Sequence, residues 1–210
     1  MPSALPLFDH NGYVTIAQVL DDVSVGELIQ DLPIIASSGT RILLSCHPFS
    51  DFAARLRESP LLSPVLSGLV AVEGIFFVKT EQRNWSVSTH RDTIVPIHGS
   101  GPWQSAGLKE GMQCVHAPLE FMRQCVTVRV SLHLVPEGDI LVVPGSHNDT
   151  STAEGCQSIP LVVPRGGAIV MRPSLLHSST KLSTSKIRRV VHFLYAPRNV
   201  PENYVWYHAA

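Results

Sequence analysis

Two short segments of the chain carry residue types that bind metal ions. His90-Arg91-Asp92 places an imidazole two residues from a carboxylate, and in an extended segment such residues share a face. His90 and Asp92 can therefore offer a nitrogen and an oxygen to the same ion. His177, which follows two leucines, would complete a set of two histidines and one carboxylate, which leaves three octahedral positions of Fe(II) open. Taken singly, the first segment is more typical of a polar loop, and the second is more typical of a packed histidine than of a metal ligand.

A pair of arginines begins the last long strand that the sequence predicts, over residues 188–196. Alternation puts Arg188 and His192 on one face and Arg189 on the other, so only one of the two arginines can point into the fold. A buried guanidinium needs an anion, and its planar fork suits a carboxylate. Alternation alone does not select between the two arginines, and both are also compatible with a solvent-facing strand end.

These segments belong to an ordered series that runs from about residue 79 to residue 197, somewhat over half of the chain. The series consists of residues 84–92, residues 101–103 with Gly107, residues 128–134, 143–147 and 164–167, and the segments around His177 and Arg188. In order and spacing it resembles the bacterial branch of the phytanoyl-CoA dioxygenase family, whose members are Fe(II)- and 2-oxoglutarate-dependent oxygenases with a double-stranded β-helix fold.

The resemblance implies a complete cofactor site. The family's iron ligands correspond to His90, Asp92 and His177. Arg188, eleven residues after His177, stands where the family binds the distal carboxylate of 2-oxoglutarate, and Ser179 stands where a second hydrogen bond to that carboxylate is often made. The implied reaction uses O2 to oxidise, most simply to hydroxylate, a C–H bond of a small-molecule substrate, while 2-oxoglutarate becomes succinate and CO2. Retention of Asp92 argues against a halogenase, in which this carboxylate is lost.

The sequence departs from the family pattern at two places. Arg91 stands where Gln is common, and the added cation would either recruit an anionic group of the substrate or point outward. The loop at residues 135–139 is shorter than usual and lacks the family's Glu-Asn-Gly turn. These departures concern the surroundings of the metal site and leave its ligands in place.

Arg91, Trp103 and Arg129 are the candidates for a substrate pocket. Arg129 faces inward by alternation and needs a carboxylate partner, which is either a ligand or a structural acid. Trp103 lies in the longest segment predicted to be irregular, residues 99–116, where it would either cover the substrate or, more simply, anchor the loop. Alternation also turns His133 and His192 inward, whereas His147 is predicted to be structural.

Short strands are the elements that must position these residues. The predicted strands cover residues 12–16, 41–44, 71–79, 125–135, 140–143, 158–163, 168–172 and 188–196. Helices are predicted from Asp21 or Asp22 to Leu32, over residues 51–58 with Ser50 as N-cap, and from Ser59 or Ser63 to about Leu69. Early helices followed by closely spaced strands predict an α+β, mainly β fold: a double-stranded β-helix (jelly roll) with N-terminal helices packed on one sheet. We expect one domain over residues 1–210, helical to about residue 70, with the β-helix core at about 71–197.

Composition narrows the class of partner. Sixteen basic against seventeen acidic residues give a net charge of −1, so no global field attracts nucleic acid or anionic lipid. The four cysteines form no CxxC pair and are expected to be reduced thiols. Residues 1–10 lack the pattern of a signal peptide, and the apolar runs are too short to cross a membrane. We therefore expect a cytoplasmic protein that acts on a small molecule, without nucleic-acid or membrane partners.

Two other functions use the same residues differently. A cupin-type jelly-roll metalloenzyme that does not use 2-oxoglutarate would keep the metal ligands and have no need of Arg188. A non-catalytic module that binds metal or 2-oxoglutarate would tolerate the loss of a ligand. The chain retains all three ligands and the arginine, which favours the oxygenase.

Overall fold

The computed structural model describes residues 4–133, 140–148, 156–183 and 186–210. The helices are α1 (Ala4–Asn11), α2 (Asp22–Asp31), α3 (His47–Glu58), α4 (Ser63–Leu66) and α5 (Leu119–Met122), and single 3-10 turns lie at Leu43–Ser45 and Ser146–Asn148. The strands are β1 (Tyr13–Ile16), β2 (Gly39–Thr40), β3 (Leu69–Lys79), β4 (Val87–His90), β5 (Ile94–His98), β6 (Gln104–Lys109), β7 (Met112–His116), β8 (Val126–Ser131), β9 (Ile140–Val142), β10 (Ile159–Leu161), β11 (Ala168–Met171), β12 (His177–Ser179), β13 (Arg188–Pro197) and β14 (Val205–Trp206).

The strands form three antiparallel sheets. The main sheet has the order β1-β11-β8-β13-β3-β2, the minor sheet β10-β9-β12-β4, and the third sheet β14-β5-β7-β6. Residues of both the main and the minor sheet line one cavity. This arrangement confirms the predicted jelly roll of the mainly β class.

The outer face of the main sheet is covered by the N-terminal helices, as predicted. Helix α3 places apolar residues at the i, i+3, i+4 and i+7 spacing of one helix face, namely Phe49, Phe52, Ala53 and Leu56. These pack in one core with every second residue of β3, β8 and β13, and the rings of Phe52 and Phe193 meet edge to face at 5.7 Å. Full burial of each large apolar side chain contributes about 1.5–3 kcal/mol, so this face accounts for much of the stability of the sheet.

The inner face of the main sheet carries the polar residues of the same strands. On β3 the cavity-facing residues are Glu73, Ile75, Phe77 and Lys79. The register of β13 sets Arg188 opposite Lys79, His192 opposite Ile75 and Leu194 opposite Glu73. On the other side of β13, His192 also pairs with Arg129 of β8. Strand alternation therefore stabilises the fold on one face and supplies the cavity wall on the other, and it places Arg188 and Arg129 inward as expected.

Two predicted element boundaries near the N-terminus are wrong. Residues 41–44 do not form a strand, because β2 ends at Thr40 and adjacent Leu43 and Leu44 are both buried, which a 3-10 turn allows and strand alternation does not. Ser50 is not an N-cap, since α3 begins three residues earlier at His47 with Pro48 in its first turn. The strand predicted over residues 125–135 ends at Ser131, and residues 134 and 135 lie outside the described residues.

The segment predicted to be irregular, residues 99–116, contains a β-hairpin. Strands β6 and β7 pair from Gln104 opposite His116 to Lys109 opposite Met112. The two turn residues, Glu110 and Gly111, both have positive φ angles (49° and 83°), as two-residue hairpin turns require. A glutamate in this conformation is uncommon, and the exposed glycine at position 107 interrupts the alternation of β6, so the hairpin pattern was obscured.

Within the described ranges, no helix combines the length and the apolar character that crossing a bilayer requires.

One hydrogen bond from the sheet to α3 gives a test of this packing. The buried Tyr195 hydroxyl donates to the Ala53 carbonyl at 2.8 Å. Tyr195→Phe should lower the free energy of unfolding by about 1 kcal/mol, because the carbonyl keeps its burial and loses its partner. Urea denaturation measures this, with Tyr13→Phe as the matched control, since the Tyr13 hydroxyl donates to no described residue. Equal losses in the two variants would contradict the assigned role of the Tyr195 bond.

Candidate metal centre

Antiparallel pairing of two short strands brings the predicted metal ligands together. His90, at the end of β4, lies directly opposite His177, at the start of β12, and the two ring centroids are 4.3 Å apart. The N–H of Asp92 donates to the Pro173 carbonyl at 2.9 Å, which ties this segment to the chain entering β12. The Asp92 carboxylate oxygens lie 3.4 Å from His90 Nε2 and 3.6 Å from His177 Nε2. Potential ligand atoms of all three residues lie within 4.8 Å of one another, so one ion can bind them together.

Backbone carbonyls orient both imidazoles. His90 Nδ1 lies 2.9 Å from the Ser88 carbonyl oxygen, and His177 Nδ1 lies 2.9 Å from the Leu175 carbonyl oxygen. A carbonyl only accepts, so each Nδ1 carries the hydrogen and each Nε2 keeps its lone pair. Both lone pairs are therefore available on the side that faces Asp92, as a metal site requires.

The charges of the cluster also suit a cation. Burial acts to raise the pKa of Asp92, but the imidazoles of His177 and His90 outweigh it and hold the pKa well below its usual range. Burial lowers the pKa of His177, whereas the hydrogen bond to Asp92 raises the pKa of His90. Near neutral pH Asp92 is thus an anion and His177 is neutral, which are the states in which these side chains bind metals.

The cluster opens toward a cavity of about 440 Å³. The His177 side chain is 7% exposed, but those of His90 and Asp92 are 39% and 33% exposed. An ion bound here would be held from one side and would keep positions open toward the cavity, as catalytic rather than purely structural metal sites do.

One end of the cavity is cationic. Lys79 and Arg188 pair across β3 and β13 and are 3% and 5% exposed. Lys79 Nζ donates to Ser179 Oγ at 2.6 Å and to the Thr180 carbonyl at 2.7 Å, and Arg188 Nη2 donates to the same Ser179 Oγ at 3.1 Å. The Lys79 ammonium also lies 4.8 Å from the centre of the Trp85 ring. We call Lys79, Arg188 and Ser179 the cationic corner.

A second ion pair lies elsewhere on the same walls. Arg41 Nη1 donates to Glu73 Oε1 at 2.5 Å, and the Glu73 side chain is only 4% exposed. The Arg41 backbone N–H and the Thr40 hydroxyl both donate to the carboxylate of Glu110, in the β6–β7 turn, which fixes the approach of Arg41. Burial raises the pKa of Glu73 to about 6, against the opposing effect of Arg41. We call these two residues the Arg41–Glu73 pair.

The three candidates for the substrate pocket have different positions. Arg129 lines the cavity next to His192. Arg91 also contributes to the wall, but its Nη1 donates to the Ser146 and Ser174 carbonyls at 3.0 and 2.7 Å, so part of its guanidinium joins two backbone segments.

Trp103 lies outside the cavity wall, so of its two predicted roles the structure favours the anchor of the loop over the cover of the substrate. Its ring centroid lies 5.0 Å from those of both Phe121 and Tyr204, and its backbone N–H donates to the Tyr204 hydroxyl oxygen at 2.9 Å. It is absent from the described residues that line the cavity and packs instead against a separate hydrophobic cluster. A large flat ring at the foot of the hairpin finds more apolar contact there than over a polar cavity, so Trp103 anchors the loop.

The remaining predicted histidines divide between the cavity and the core. His192 lines the cavity, and burial lowers its pKa to about 4, so it is neutral. His133 is buried and its Nδ1 lies 2.7 Å from Ser131 Oγ. His147 Nε2 lies 3.1 Å from the Asp9 carbonyl oxygen, and a Cβ at Gly12, whose φ is +80°, would collide with its ring. His147 thus packs the N-terminal segment against the sheets.

Sequence reasoning missed Lys79, Arg41 and Glu73. Lys79 and Glu73 lie on a strand whose other residues are almost all apolar, and their even spacing puts them on one face. Isolated charges in an apolar strand were the available signal for a polar cavity wall. Arg41 carried no such signal, because the sequence predicted the wrong element for its segment.

Comparison with solved structures finds this architecture in enzymes of low sequence identity. SnoK, a non-heme alpha-ketoglutarate-dependent carbocyclase from nogalamycin biosynthesis, superposes with TM-score 0.72 at 15% identity, over 95% of this chain and 85% of that chain. HygX from Streptomyces hygroscopicus, with nickel, 2-oxoglutarate and hygromycin B bound, gives 0.64 at 18%, over 100% and 98%. The epimerase SnoN, in complex with Fe3+, alpha ketoglutarate and nogalamycin RO, gives 0.64 at 19%, over 91% and 81%.

No family model matches the chain, and no curated protein matches it by sequence. At identities this low, the likeness to these solved structures establishes the shared fold.

Removal of any one of the three ligands tests the metal centre. His90→Ala, Asp92→Ala and His177→Ala should each weaken Mn(II) binding by more than about 100-fold, because even changes outside the ligand set commonly cost 10- to 100-fold. Calorimetric titration measures the affinity, and His47→Ala, at a side chain that is 86% exposed on α3, is the control. A variant that retains wild-type affinity would remove its residue from the ligand set.

The raised pKa of His90 predicts proton release on metal binding. Below that pKa the imidazole is protonated, and Mn(II) must displace the proton, so affinity should rise with pH until His90 is neutral. Titration in buffers of different ionisation enthalpy should show more proton release at about pH 6 than at about pH 8.5, because the raised pKa leaves more of His90 protonated at the lower pH. Binding heats that are independent of the buffer at both pH values would contradict this assignment.

Proposed function

We propose that the protein is a non-haem Fe(II)- and 2-oxoglutarate-dependent dioxygenase that oxidises, most simply hydroxylates, a C–H bond of a small molecule, with conversion of 2-oxoglutarate to succinate and CO2. One observation carries the proposal: a two-histidine, one-carboxylate cluster and a buried cationic corner lie on the walls of one cavity. The cluster matches the preference of non-haem Fe(II) oxygenases, and the corner matches a dicarboxylate co-substrate.

The donor atoms fit the metal. His90 Nε2, His177 Nε2 and an Asp92 oxygen converge, and the backbone bonds at both Nδ1 atoms hold the imidazoles in the required tautomer. Iron together with 2-oxoglutarate supplies the oxidising chemistry when bound. The chain would hold the metal through these three ligands and receive the co-substrate at the cationic corner.

The cationic corner fits the distal carboxylate of 2-oxoglutarate. Arg188 offers a fork that can bind two carboxylate oxygens, Lys79 adds a second positive charge, and the Ser179 hydroxyl stands between them. Two buried cations that meet at one hydroxyl repel each other, and an anion between them reduces this repulsion. A cupin-type enzyme that does not use 2-oxoglutarate has no need of such a corner, so it supports the oxygenase over that alternative.

A small-molecule substrate agrees with the size of the cavity. Its volume of about 440 Å³ falls in the range of about 300–1,000 Å³ usual for such sites. HygX and SnoN, which share the fold, have been solved with hygromycin B and nogalamycin RO. The proposal includes membership of the bacterial phytanoyl-CoA dioxygenase branch, one domain over residues 1–210 and a cytoplasmic location, all supported by the motifs and composition described above.

Succinate formation tests the function directly. Fe(II)-loaded protein with 2-oxoglutarate and O2 should produce succinate, slowly alone and faster with a substrate found in a library of small molecules. The matched control is Asp92→Ala, which lacks a proposed iron ligand. If the wild-type protein produced no more succinate than Asp92→Ala with any member of the library, the proposed function would be contradicted.

Neighbouring arginines provide a sharper test of the co-substrate site. Removal of one partner of a buried charge pair costs on the order of 2–5 kcal/mol, so Arg188→Ala should weaken 2-oxoglutarate binding to the Mn(II) protein by roughly 30-fold or more. Arg188→Lys should recover only part of this, since it loses the fork. Arg189→Ala, on the opposite face, should change the Kd by less than about threefold. A large loss in Arg189→Ala with a small loss in Arg188→Ala would contradict the assignment.

Lys79 has the same predicted ligand and a different chemical contribution. Lys79→Met keeps the apolar stem beside Trp85 and removes the ammonium, so 2-oxoglutarate should bind roughly 10- to 100-fold more weakly, as expected for a lost charged hydrogen bond. Calorimetry with Lys181→Met, a change at an exposed position, is the control. Wild-type affinity in Lys79→Met would exclude Lys79 from the co-substrate site.

A further inference from the structure

The Arg41–Glu73 pair lies beyond the metal centre as seen from the cationic corner. Glu73, Ile75, Phe77 and Lys79 follow one another along the cavity face of β3. At about 3.3 Å per residue, Glu73 lies roughly 20 Å along the strand from Lys79. Ile75, opposite His192, stands between these ends.

The minor sheet places the metal centre close to the cationic corner and away from Glu73. His177 lies two residues before Ser179 on β12, about 7 Å along that strand from the residue whose hydroxyl Lys79 and Arg188 contact, whereas Glu73 lies at the opposite end of the β3 series from Lys79. A co-substrate that reaches from the metal to Lys79 and Arg188 therefore leaves the region around Glu73 to another molecule.

The polar groups in this region have hydrogen-bonding capacity that the described residues do not use. Glu73 Oε1 accepts from Arg41 Nη1, and among the described residues no bond is made to Glu73 Oε2 or from the Nε and Nη2 of Arg41. Thr127 lies in the same row, across Leu194, and its buried hydroxyl has no hydrogen-bond partner in the described part of the chain. All three residues line the cavity.

A purely structural role explains this arrangement poorly. Burial of an ion pair costs desolvation energy, and well-packed apolar residues often stabilise a fold as well or better. The neighbours of Glu73 on this face, Ile75 and Leu194, are apolar. Donors and acceptors that remain available on a cavity wall, one of them the buried Thr127 hydroxyl, are typical of a site that a polar ligand completes.

We propose that the Arg41–Glu73 pair and Thr127 anchor the substrate by binding neighbouring hydroxyl groups of a neutral, hydroxyl-rich molecule. This inference rests on the proposed function and identifies its substrate class. The carboxylate accepts from one hydroxyl and the guanidinium donates to the next. The two charges of the pair cancel. An anionic ligand would be attracted by Arg41 but repelled by Glu73, and a cationic ligand the reverse, so neither gains a net attraction that a neutral ligand lacks. A site built to bond hydroxyls also rejects analogues that lack them.

Paramagnetic relaxation tests the inference without a known substrate. Protein saturated with 2-oxoglutarate and either Mn(II) or diamagnetic Zn(II) is mixed with methyl glucoside, and the Mn(II)-dependent relaxation of the probe protons reports binding near the metal. The comparison probes are 2-methoxytetrahydropyran, a similar ring without the hydroxyls, and glucuronate, which adds a negative charge. Wild-type protein should bind methyl glucoside at least about tenfold more tightly than either, as expected for hydrogen bonds to charged groups.

Two variants connect this binding to the proposed residues. Glu73→Gln should weaken methyl glucoside by at least about tenfold and Thr127→Val, which is nearly isosteric, by about threefold or more. Glu120→Gln removes the same charge at an exposed position of α5 and should have no effect. Preference for glucuronate or the ring ether, absence of relaxation for every probe, or wild-type affinity in both variants would overturn the inference.

Titration of the same samples with 2-oxoglutarate separates the two proposals. Normal 2-oxoglutarate binding together with relaxation that does not depend on Glu73 or Thr127 would overturn the substrate assignment alone. Failure of the wild-type Mn(II) protein to bind 2-oxoglutarate would overturn the proposed function and this assignment with it.

Discussion

The pairing of β4 with β12 is the contact on which the proposed site depends. It sets His90 directly opposite His177, and a slip of one residue would turn one imidazole to the other face of the sheet. Backbone groups complete the arrangement: the Asp92 N–H is held by Pro173, and carbonyls hold both imidazoles through Nδ1. The three side chains are thus oriented by hydrogen bonds of the main chain before any ion binds.

The main sheet makes this geometry compatible with a stable fold. The outer residues of β3, β8 and β13 form the core with the helices, while the inner residues of the same strands form the cavity wall. Along β3 the inner face is charged at its two ends, Glu73 and Lys79, and apolar between them. Under the proposed function, this distribution would give a dicarboxylate and a neutral polar molecule separate places on either side of one metal centre, as a two-substrate oxidation requires.

Strand alternation and short motifs, together with the family resemblance that selected Arg188, allowed the main features to be predicted from the sequence. His90, Asp92 and His177 come together as their types and order suggested, and Arg188 faces the cavity beside Ser179. The hairpin at residues 104–116 was missed, because a positive φ at Glu110 has no distinctive residue type. Arg41 was missed because its position depends on the bond to Glu110, which is distant in sequence and visible only once the hairpin has formed.

Anaerobic titration of the Fe(II) protein with 2-oxoglutarate tests the central claim most directly. Binding of 2-oxoglutarate to Fe(II) produces a metal-to-ligand charge-transfer absorption. This absorption appears only when Fe(II) and 2-oxoglutarate occupy the same site. The account predicts a saturable band with one iron and one 2-oxoglutarate per chain, absent in Asp92→Ala and shifted to much higher 2-oxoglutarate concentration in Arg188→Ala. Tight binding of Fe(II) with no such band at saturating 2-oxoglutarate would contradict it.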